Sequence, residues 1–107
     1  MDFTRQEKGD IEMQKRVFNF IHQYHLTGDG AIRYIDLGSE VGELGKEFLK
    51  SSDYGTLVCK NNENMVEEIG DCLFSLFALC CTLDIDAKTA LNIALSKYQF
   101  GLNKRAR

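Results

Sequence analysis

Two short acidic segments hold the residue types in this 107-residue chain that are best suited to chemistry. In SEVGELGKEF, residues 39–48, Glu40, Glu43 and Glu47 stand three and four positions apart, so a helix would carry them on one side. In NMVEEIGDCLF, Glu68 and Asp71 repeat the spacing of three. Like charges this close cost a helix roughly 0.2–0.5 kcal/mol per pair. The repeated crowding therefore needs either a compensating cation or a structural reason.

The structural reason is the helix dipole, which stabilises carboxylates in a first helical turn. It can account for Glu63, Glu67 and Glu68, which lie at or near the start of the predicted third helix. It does not account for Asp71, which lies in the second turn and precedes the most apolar segment of the chain. We therefore keep Asp71 as a candidate functional residue.

Antiparallel packing of the two acidic helices would bring four carboxylates together. Glu40 and Glu43 would then face Glu68 and Asp71 across the helix contact. Hard oxygen ligands without His or Cys suit Mg²⁺, or Mn²⁺, and a bound Mg²⁺ takes its remaining ligands from water and from phosphate oxygens. The sequence therefore predicts a magnesium site, with manganese as the alternative, and a phosphorylated ligand.

Helical periodicity runs through most of the chain and predicts an all-α fold in one domain, residues 1–107. The predicted helices are residues 10–26, 31–50, 64–83 and 87–105, with Asp10 and Asp86 as N-caps of the first and fourth. Loop 51–62 is predicted to hold at most one extended pair, Leu57 and Val58. In the first helix, the predicted apolar face consists of Met13, Val17, Phe20, Ile21 and Tyr24. In the fourth helix, the residues predicted to face the core are Leu91, Ala94, Leu95, Tyr98 and Leu102.

Three glycines in the second helix, Gly38, Gly42 and Gly45, lie on the side roughly opposite the carboxylates. Each costs a helix roughly 1 kcal/mol relative to alanine. This cost needs a compensating gain, and we expect the gain to be that another helix can approach closely at these residues.

Composition excludes several classes of protein. With 44% apolar and 27% charged residues and a net charge of −3, the chain has no general basic field for nucleic acid. It has no long uncharged apolar run for a membrane span and no signal core at its start, so we expect a cytoplasmic protein. Its four cysteines form no CxxC pair and are expected to be reduced, buried thiols. A domain this small buries a modest share of its surface, which favours a homo-oligomer.

The segments DLGSEVGELGKEF and VEEIGDCLFSL resemble the two signature segments of the MazG-like all-α nucleoside triphosphate pyrophosphohydrolases, over roughly residues 34–83. The resemblance implies a MazG-type four-helix bundle that forms a homodimer or tetramer. It also implies hydrolysis of (deoxy)nucleoside triphosphates to monophosphates and pyrophosphate, as in nucleotide-pool house-cleaning. By the same resemblance, the catalytic magnesium ligands are Glu40, Glu43, Glu68 and Asp71. The chain departs from many relatives at Ser39, where a glutamate is common, and at Gly101, where a basic residue is common.

Substrate contacts are predicted in the first, third and fourth helices. Lys97, Lys104 and Arg105 are candidates for phosphate contacts, with a helix-dipole role as the alternative. His25 and Ser75 are candidates to line a nucleobase pocket, although packing at the core edge is the alternative for the histidine. Base and sugar preference are not predicted by the sequence.

Two other functions stay open. One is a non-catalytic helical interaction module or regulatory dimer, which would leave the carboxylate convergence unexplained. The other is a phosphoribosyl-ATP pyrophosphohydrolase, which would share the fold and the metal chemistry. A di-iron bundle is disfavoured because neither histidine follows a glutamate in the Glu-x-x-His spacing.

Overall fold

The computed structural model describes residues 12–26 and 28–105. This part of the chain forms four α-helices and no strand, which confirms the all-α prediction, and Leu57 and Val58 are not extended into a sheet. Asp10, the predicted first N-cap, lies outside the described residues. The helices are α1 Met13–Gln23, α2 Gly30–Ser51, α3 Glu63–Thr82 and α4 Ala87–Arg105.

Short polar side chains begin three of the helices. The Asp29 carboxylate accepts a hydrogen bond of 2.9 Å from the backbone N–H of Ile32 and begins α2. The Asn62 side-chain oxygen accepts one of 2.9 Å from the N–H of Met65 and begins α3. The predicted cap Asp86 accepts hydrogen bonds from the N–H and hydroxyl of Thr89 ahead of α4. These caps satisfy N–H groups that have no partner inside a helix. Of the three, Asp86 was predicted from the sequence, whereas Asp29 and Asn62 were not.

Helices α2 and α3 form an antiparallel pair. At one end, the Asn62 side-chain amide donates a 2.8 Å hydrogen bond to the hydroxyl of Ser51, joining the end of α2 to the start of α3. At the other end, Leu83 covers Gly30, where an added Cβ would lie 2.9 Å from the leucine Cδ2. The two helices are in contact along their length, and α1 packs on α3.

Gln14 connects α1 to the turn that leads into α4. Its side-chain amide donates a 2.7 Å hydrogen bond to the carbonyl of Ile85. Its side-chain oxygen accepts a 2.7 Å hydrogen bond from the N–H of Ala87, the first residue of α4. One side chain therefore satisfies two backbone groups at this turn, including one of the helix-start N–H groups that lack a partner within α4.

The core prediction for α4 is wrong within a single chain. Helix α4 makes no extended packing with the other described helices. Four of its five predicted core residues, Leu91, Leu95, Tyr98 and Leu102, are between 54% and 65% exposed. The fifth, Ala94, is half-buried. Isoleucine and phenylalanine at positions 93 and 100 lie on the opposite side of the helix and are exposed as well. A helix with apolar side chains on opposite sides needs cover on both, and the other described helices cover neither side extensively.

The buried interior of the described chain is small. Its buried apolar residues are Met65, Ala78 and Cys80, and the other three cysteines are half-buried free thiols. The Cα radius of gyration is 16.8 Å, whereas a compact domain of this length has one of about 13 Å. Among the described helices, none has the length and apolar content needed to cross a bilayer.

Candidate functional site

The antiparallel pair brings three of the predicted carboxylates together. Glu40 lies on the half-buried side of α2, one turn from both Leu37 and Leu44, and this side faces α3. Glu68 and Asp71 lie one turn apart on α3. One carboxylate oxygen from each of Glu40, Glu68 and Asp71 lies within 4.8 Å of the other two. We call these three residues the acidic triad.

The acidic triad holds negative charge in a partly desolvated place. Glu40 and Glu68 are half-buried, and Asp71 is exposed. The pKa of Glu68 is raised above its ordinary value, first by desolvation and then by the negative charges of Asp71, Glu43 and Glu40. Desolvation and like charges both disfavour the ionised carboxylate, so a cation bound here would relieve both penalties.

Glu43, the fourth predicted ligand, is not part of the acidic triad. It is exposed on α2, and its carboxylate forms an ion pair with Lys46 at an N–O distance of 3.4 Å. Its charge nevertheless acts on Glu68, where it contributes to the raised pKa. Glu47, which lies on the same side of α2 as Glu40 and Glu43, accepts a 3.4 Å hydrogen bond from the hydroxyl of Ser51. The structure therefore groups three carboxylates closely and keeps two more nearby.

Ser75 and Cys72 line the same side of α3. Ser75 is buried, with 8% of its surface exposed, one turn beyond Asp71. The pKa of the Cys72 thiol is raised by desolvation and then by the charge of Glu40, so this half-buried thiol is held in its neutral form. The sequence analysis did not identify Cys72 as a neighbour of the site. The sequence did contain a signal, because Cys72 stands four residues after Glu68 and a helix puts residues at this spacing on one side.

His25, the predicted base contact, lies at a separate cavity of about 370 Å³ between α1, the start of α2 and the end of α3. It follows α1 in the left-handed backbone region, with φ 53°. The sequence analysis missed Arg33 in this cavity. The Arg33 guanidinium donates a 2.8 Å hydrogen bond to the carbonyl of Leu26. Arg33 lies seven residues before Glu40, which places it about 10 Å away along α2.

The predicted phosphate contacts Lys97, Lys104 and Arg105 are exposed on α4. Because α4 makes no extended packing with α2 or α3, the single chain does not bring these cations to the acidic triad. Any contact between them and a ligand at the triad would require α4 of a second copy or a large movement of α4.

Three carboxylate oxygens within coordination reach of one another, with no imidazole among them, are a donor set that fits a hard divalent cation. The exposed Asp71 leaves one side of the triad open to solvent and to a ligand. Comparison with known proteins finds no family model, no curated protein and no solved structure that matches the chain.

Proposed function

We propose that the chain is a Mg²⁺-dependent nucleoside triphosphate pyrophosphohydrolase, which converts a (deoxy)nucleoside triphosphate and water to a monophosphate and pyrophosphate. The observation that supports this best is the acidic triad, in which Glu40, Glu68 and Asp71 converge within 4.8 Å on a partly desolvated surface. We place the enzyme in the cytoplasm as a homodimer or tetramer with a house-cleaning role in the nucleotide pool. The type of reaction is inferred from the resemblance of the two acidic segments to the MazG-like family.

The triad residues hold the metal in this proposal. Glu40 and Glu68 supply carboxylate oxygens from the half-buried contact between α2 and α3, and Asp71 supplies one from the open side. A bound divalent ion would neutralise charge on the phosphates and orient them for attack by water at the α-phosphorus. Both Mg²⁺ and Mn²⁺ fit this donor set.

The carboxylates near the triad have the remaining chemical role. Glu43 and Glu47 lie on the same side of α2 as Glu40 and keep the site negative. One of the carboxylates at or near the triad can accept the proton of the attacking water. The neutral Cys72 thiol and the buried Ser75 restrict the space beside the triad. We propose that Ser75, one turn beyond Asp71 on α3, contacts the nucleotide.

Pyrophosphate release from the purified chain tests the reaction. The substrate panel contains each common ribo- and deoxyribonucleoside triphosphate and phosphoribosyl-ATP, with Mg²⁺ and with an EDTA control. Asp71→Asn removes one triad charge, and Glu67→Gln removes one charge from the exposed side of the same helix as a matched control. We expect equal amounts of monophosphate and pyrophosphate, dependent on metal, from the unmodified chain and Glu67→Gln, and at least a hundredfold lower rate from Asp71→Asn.

Two outcomes would contradict the assignment. Release of orthophosphate and a nucleoside diphosphate would show that the bond between the β and γ phosphates is cleaved instead. Equal rates for Asp71→Asn and Glu67→Gln would show that the acidic triad is not the catalytic site.

The second candidate is a non-catalytic helical interaction module, which the large exposed apolar side chains of α2, α3 and α4 favour. It predicts no turnover of any substrate in the panel and no effect of Mg²⁺ on thermal stability. A metal-dependent rise in melting temperature together with turnover separates the enzyme from this module.

A further inference from the structure

Arg33 is a half-buried cation that has no acidic partner among the described residues. It lies in the first turn of α2, on the side that faces α3. Its guanidinium makes one hydrogen bond within the described chain, to the carbonyl of Leu26. The buried Nε atom has no hydrogen-bond partner there, and no described carboxylate forms an ion pair with this side chain. Charged side chains are rarely buried without a partner, so the unpaired guanidinium needs a reason.

The position of Arg33 in α2 adds a second cost. The first turn of a helix carries partial positive charge, which disfavours a cation. No acidic residue lies in this turn. Asp29, just before it, directs its carboxylate to the N–H of Ile32 and forms no ion pair with Arg33. A structural role as a partner for the end of α3 does not explain the arginine, because its guanidinium donates no hydrogen bond to a described carbonyl of α3.

The cavity of about 370 Å³ beside Arg33 has the lining that an anion requires. Its volume is within the range of small-molecule sites, about 300–1,000 Å³. Arg33, His22 and His25 line it, and no aspartate or glutamate does. The side chains of Phe18, Ile21 and Leu26 supply apolar surface. A cation would find no charged ligand in this lining, whereas an anion with an apolar body would find both a counter-charge and an apolar wall.

The ring of His22 is held in place at this cavity. Its Nδ1 lies 2.8 Å from the carbonyl oxygen of Phe18, and its ring packs on that of Phe18 with centroids 3.9 Å apart. Because a carbonyl only accepts, Nδ1 carries the hydrogen and donates it. Nε2 has no hydrogen bond to a described residue. It can accept a hydrogen from a protonated oxyanion, or donate one when the ring is charged.

Gly28 allows the backbone to lie against the guanidinium of Arg33. A Cβ added at Gly28 would lie 3.3 Å from Nε and 3.6 Å from Cζ. The glycines of α2 differ, because a Cβ added at Gly38, Gly42 or Gly45 would have no described atom within 4 Å. The close approach of a helix expected at those three glycines therefore does not occur within the described chain. Gly28 instead fixes the position of the one cation that α2 presents to the cavity.

We propose that this cavity binds a small organic anion, either a phosphate monoester or a carboxylate with an aromatic or aliphatic body, and that Arg33 is the main contact of the anionic group. The fork of N–H donors on arginine fits both kinds of anion. The cavity is separate from the acidic triad, since Arg33 and Glu40 are about 10 Å apart along α2. An uncharged nucleobase would leave Arg33 unpaired, so the proposed anion is a molecule other than the substrate at the triad. The site does not depend on hydrolysis at the triad.

Nuclear magnetic resonance titrations of the full chain in EDTA test the site. EDTA removes divalent ions, so the acidic triad cannot recruit an anion through a metal. The probes are phenyl phosphate and benzoate, with benzyl alcohol as an uncharged probe of similar shape, all at one ionic strength. We expect at least one anion to produce saturable shifts at the backbone of Gly28 and at the Nε–H of Arg33, with a dissociation constant at or below about 1 mM. The anion that binds more tightly identifies the class of the natural ligand.

Two arginine variants locate the anion. Arg33→Met removes the charge and keeps an unbranched side chain, and it should raise the dissociation constant at least about tenfold. Arg16→Met removes the same charge from the exposed side of α1, at a different cavity between α1 and α3, and should leave binding unchanged. If Arg33→Met loses its helical circular dichroism, Arg33→Lys takes its place. Lysine keeps the charge but lacks the fork of donors, so binding should also weaken.

Three results would overturn the site. One is the absence of saturable shifts for both anions up to about 10 mM. Another is benzyl alcohol binding as tightly as the anions, which would make the cavity an apolar pocket. The third is weaker binding in Arg16→Met while folded Arg33 variants bind normally, which would place the anion at the other cavity. Lack of pyrophosphate release would refute the proposed reaction and leave these results unaffected, because the titrations contain no metal.

Discussion

Removal of one charge from the acidic triad should have opposite effects on stability with and without metal. In Asp71→Asn the side chain keeps its size but loses its negative charge. Oxygens of Asp71 and Glu40 lie within 4.8 Å. Two unit charges at that separation repel by about 1 kcal/mol in water, and the water value applies because Asp71 is exposed. Without metal, the variant should therefore be more stable than the unmodified chain by about 1 kcal/mol, which is about 4–8 °C in melting temperature for a small domain.

With metal the order should reverse. A ligand present at 100 times its dissociation constant stabilises the folded state by about 2.7 kcal/mol. The unmodified chain should gain this stability in saturating Mg²⁺. Asp71→Asn should gain little at the same concentration because one charged ligand is missing. Thermal unfolding followed by circular dichroism, in EDTA and across a Mg²⁺ titration, measures both effects at one fixed protein concentration.

Glu67→Gln is the control for this experiment. It removes the same charge from α3, but its carboxylate is outside the acidic triad. Its Mg²⁺-dependent gain should match that of the unmodified chain. The reasoning would be refuted if Asp71→Asn melted at a lower temperature in EDTA and kept the full gain in Mg²⁺.

Two further predictions concern the start of α4. Gln14→Met removes both hydrogen bonds to the α3–α4 turn and should lower the free energy of unfolding by about 2 kcal/mol. Gln23→Met, on the exposed end of α1, should change that free energy little. Urea unfolding measures the difference, and equal stabilities of the two variants would show that the Gln14 contacts contribute nothing. The pKa of Asp86 is held below its ordinary value by the hydroxyl hydrogen bond from Thr89 and then by backbone N–H groups. The native state therefore favours the ionised carboxylate, and this stabilisation is fully present above the ordinary pKa of an aspartate and is lost as pH falls through the lower native value. Asp86→Asn does not titrate and should make the acid limb of the stability-against-pH curve shallower, and an unchanged slope would contradict this role for Asp86.

Local structure in this chain could be predicted from the sequence because its determinants are local. Apolar residues at three- and four-residue spacing predicted four helices, and the observed boundaries of α2, α3 and α4 lie within one residue of the predicted ones. Side chains such as Asn62 and Asp86 begin helices through hydrogen bonds to residues three positions ahead. The pairing of Glu40 with Glu68 and Asp71 also followed, because consecutive antiparallel helices bring matching faces together.

Contacts between distant residues could not be predicted in this way. The sequence predicted that Glu43 converges with Glu40, Glu68 and Asp71. In the structure Glu43 lies outside the acidic triad and forms an ion pair with Lys46, because the rotation of α2 decides which carboxylates face α3. The expectation that α4 packs on its own chain was wrong, since periodicity shows that a helix has an apolar side but not which molecule covers it. Gln14 shows the same limit, because its two backbone partners lie more than 70 residues away.

The sequence by itself determined the helices, their caps and the acidic character of one side of α2 and α3, because these depend on residues within a few positions of one another. The tertiary structure decided the rest. It set the rotation of α2 against α3, and with it the composition of the acidic triad, and it placed Arg33 at a cavity whose lining has no carboxylate. Side-chain packing fixes how two helices meet, and this depends on three-dimensional shape that spacing alone does not contain.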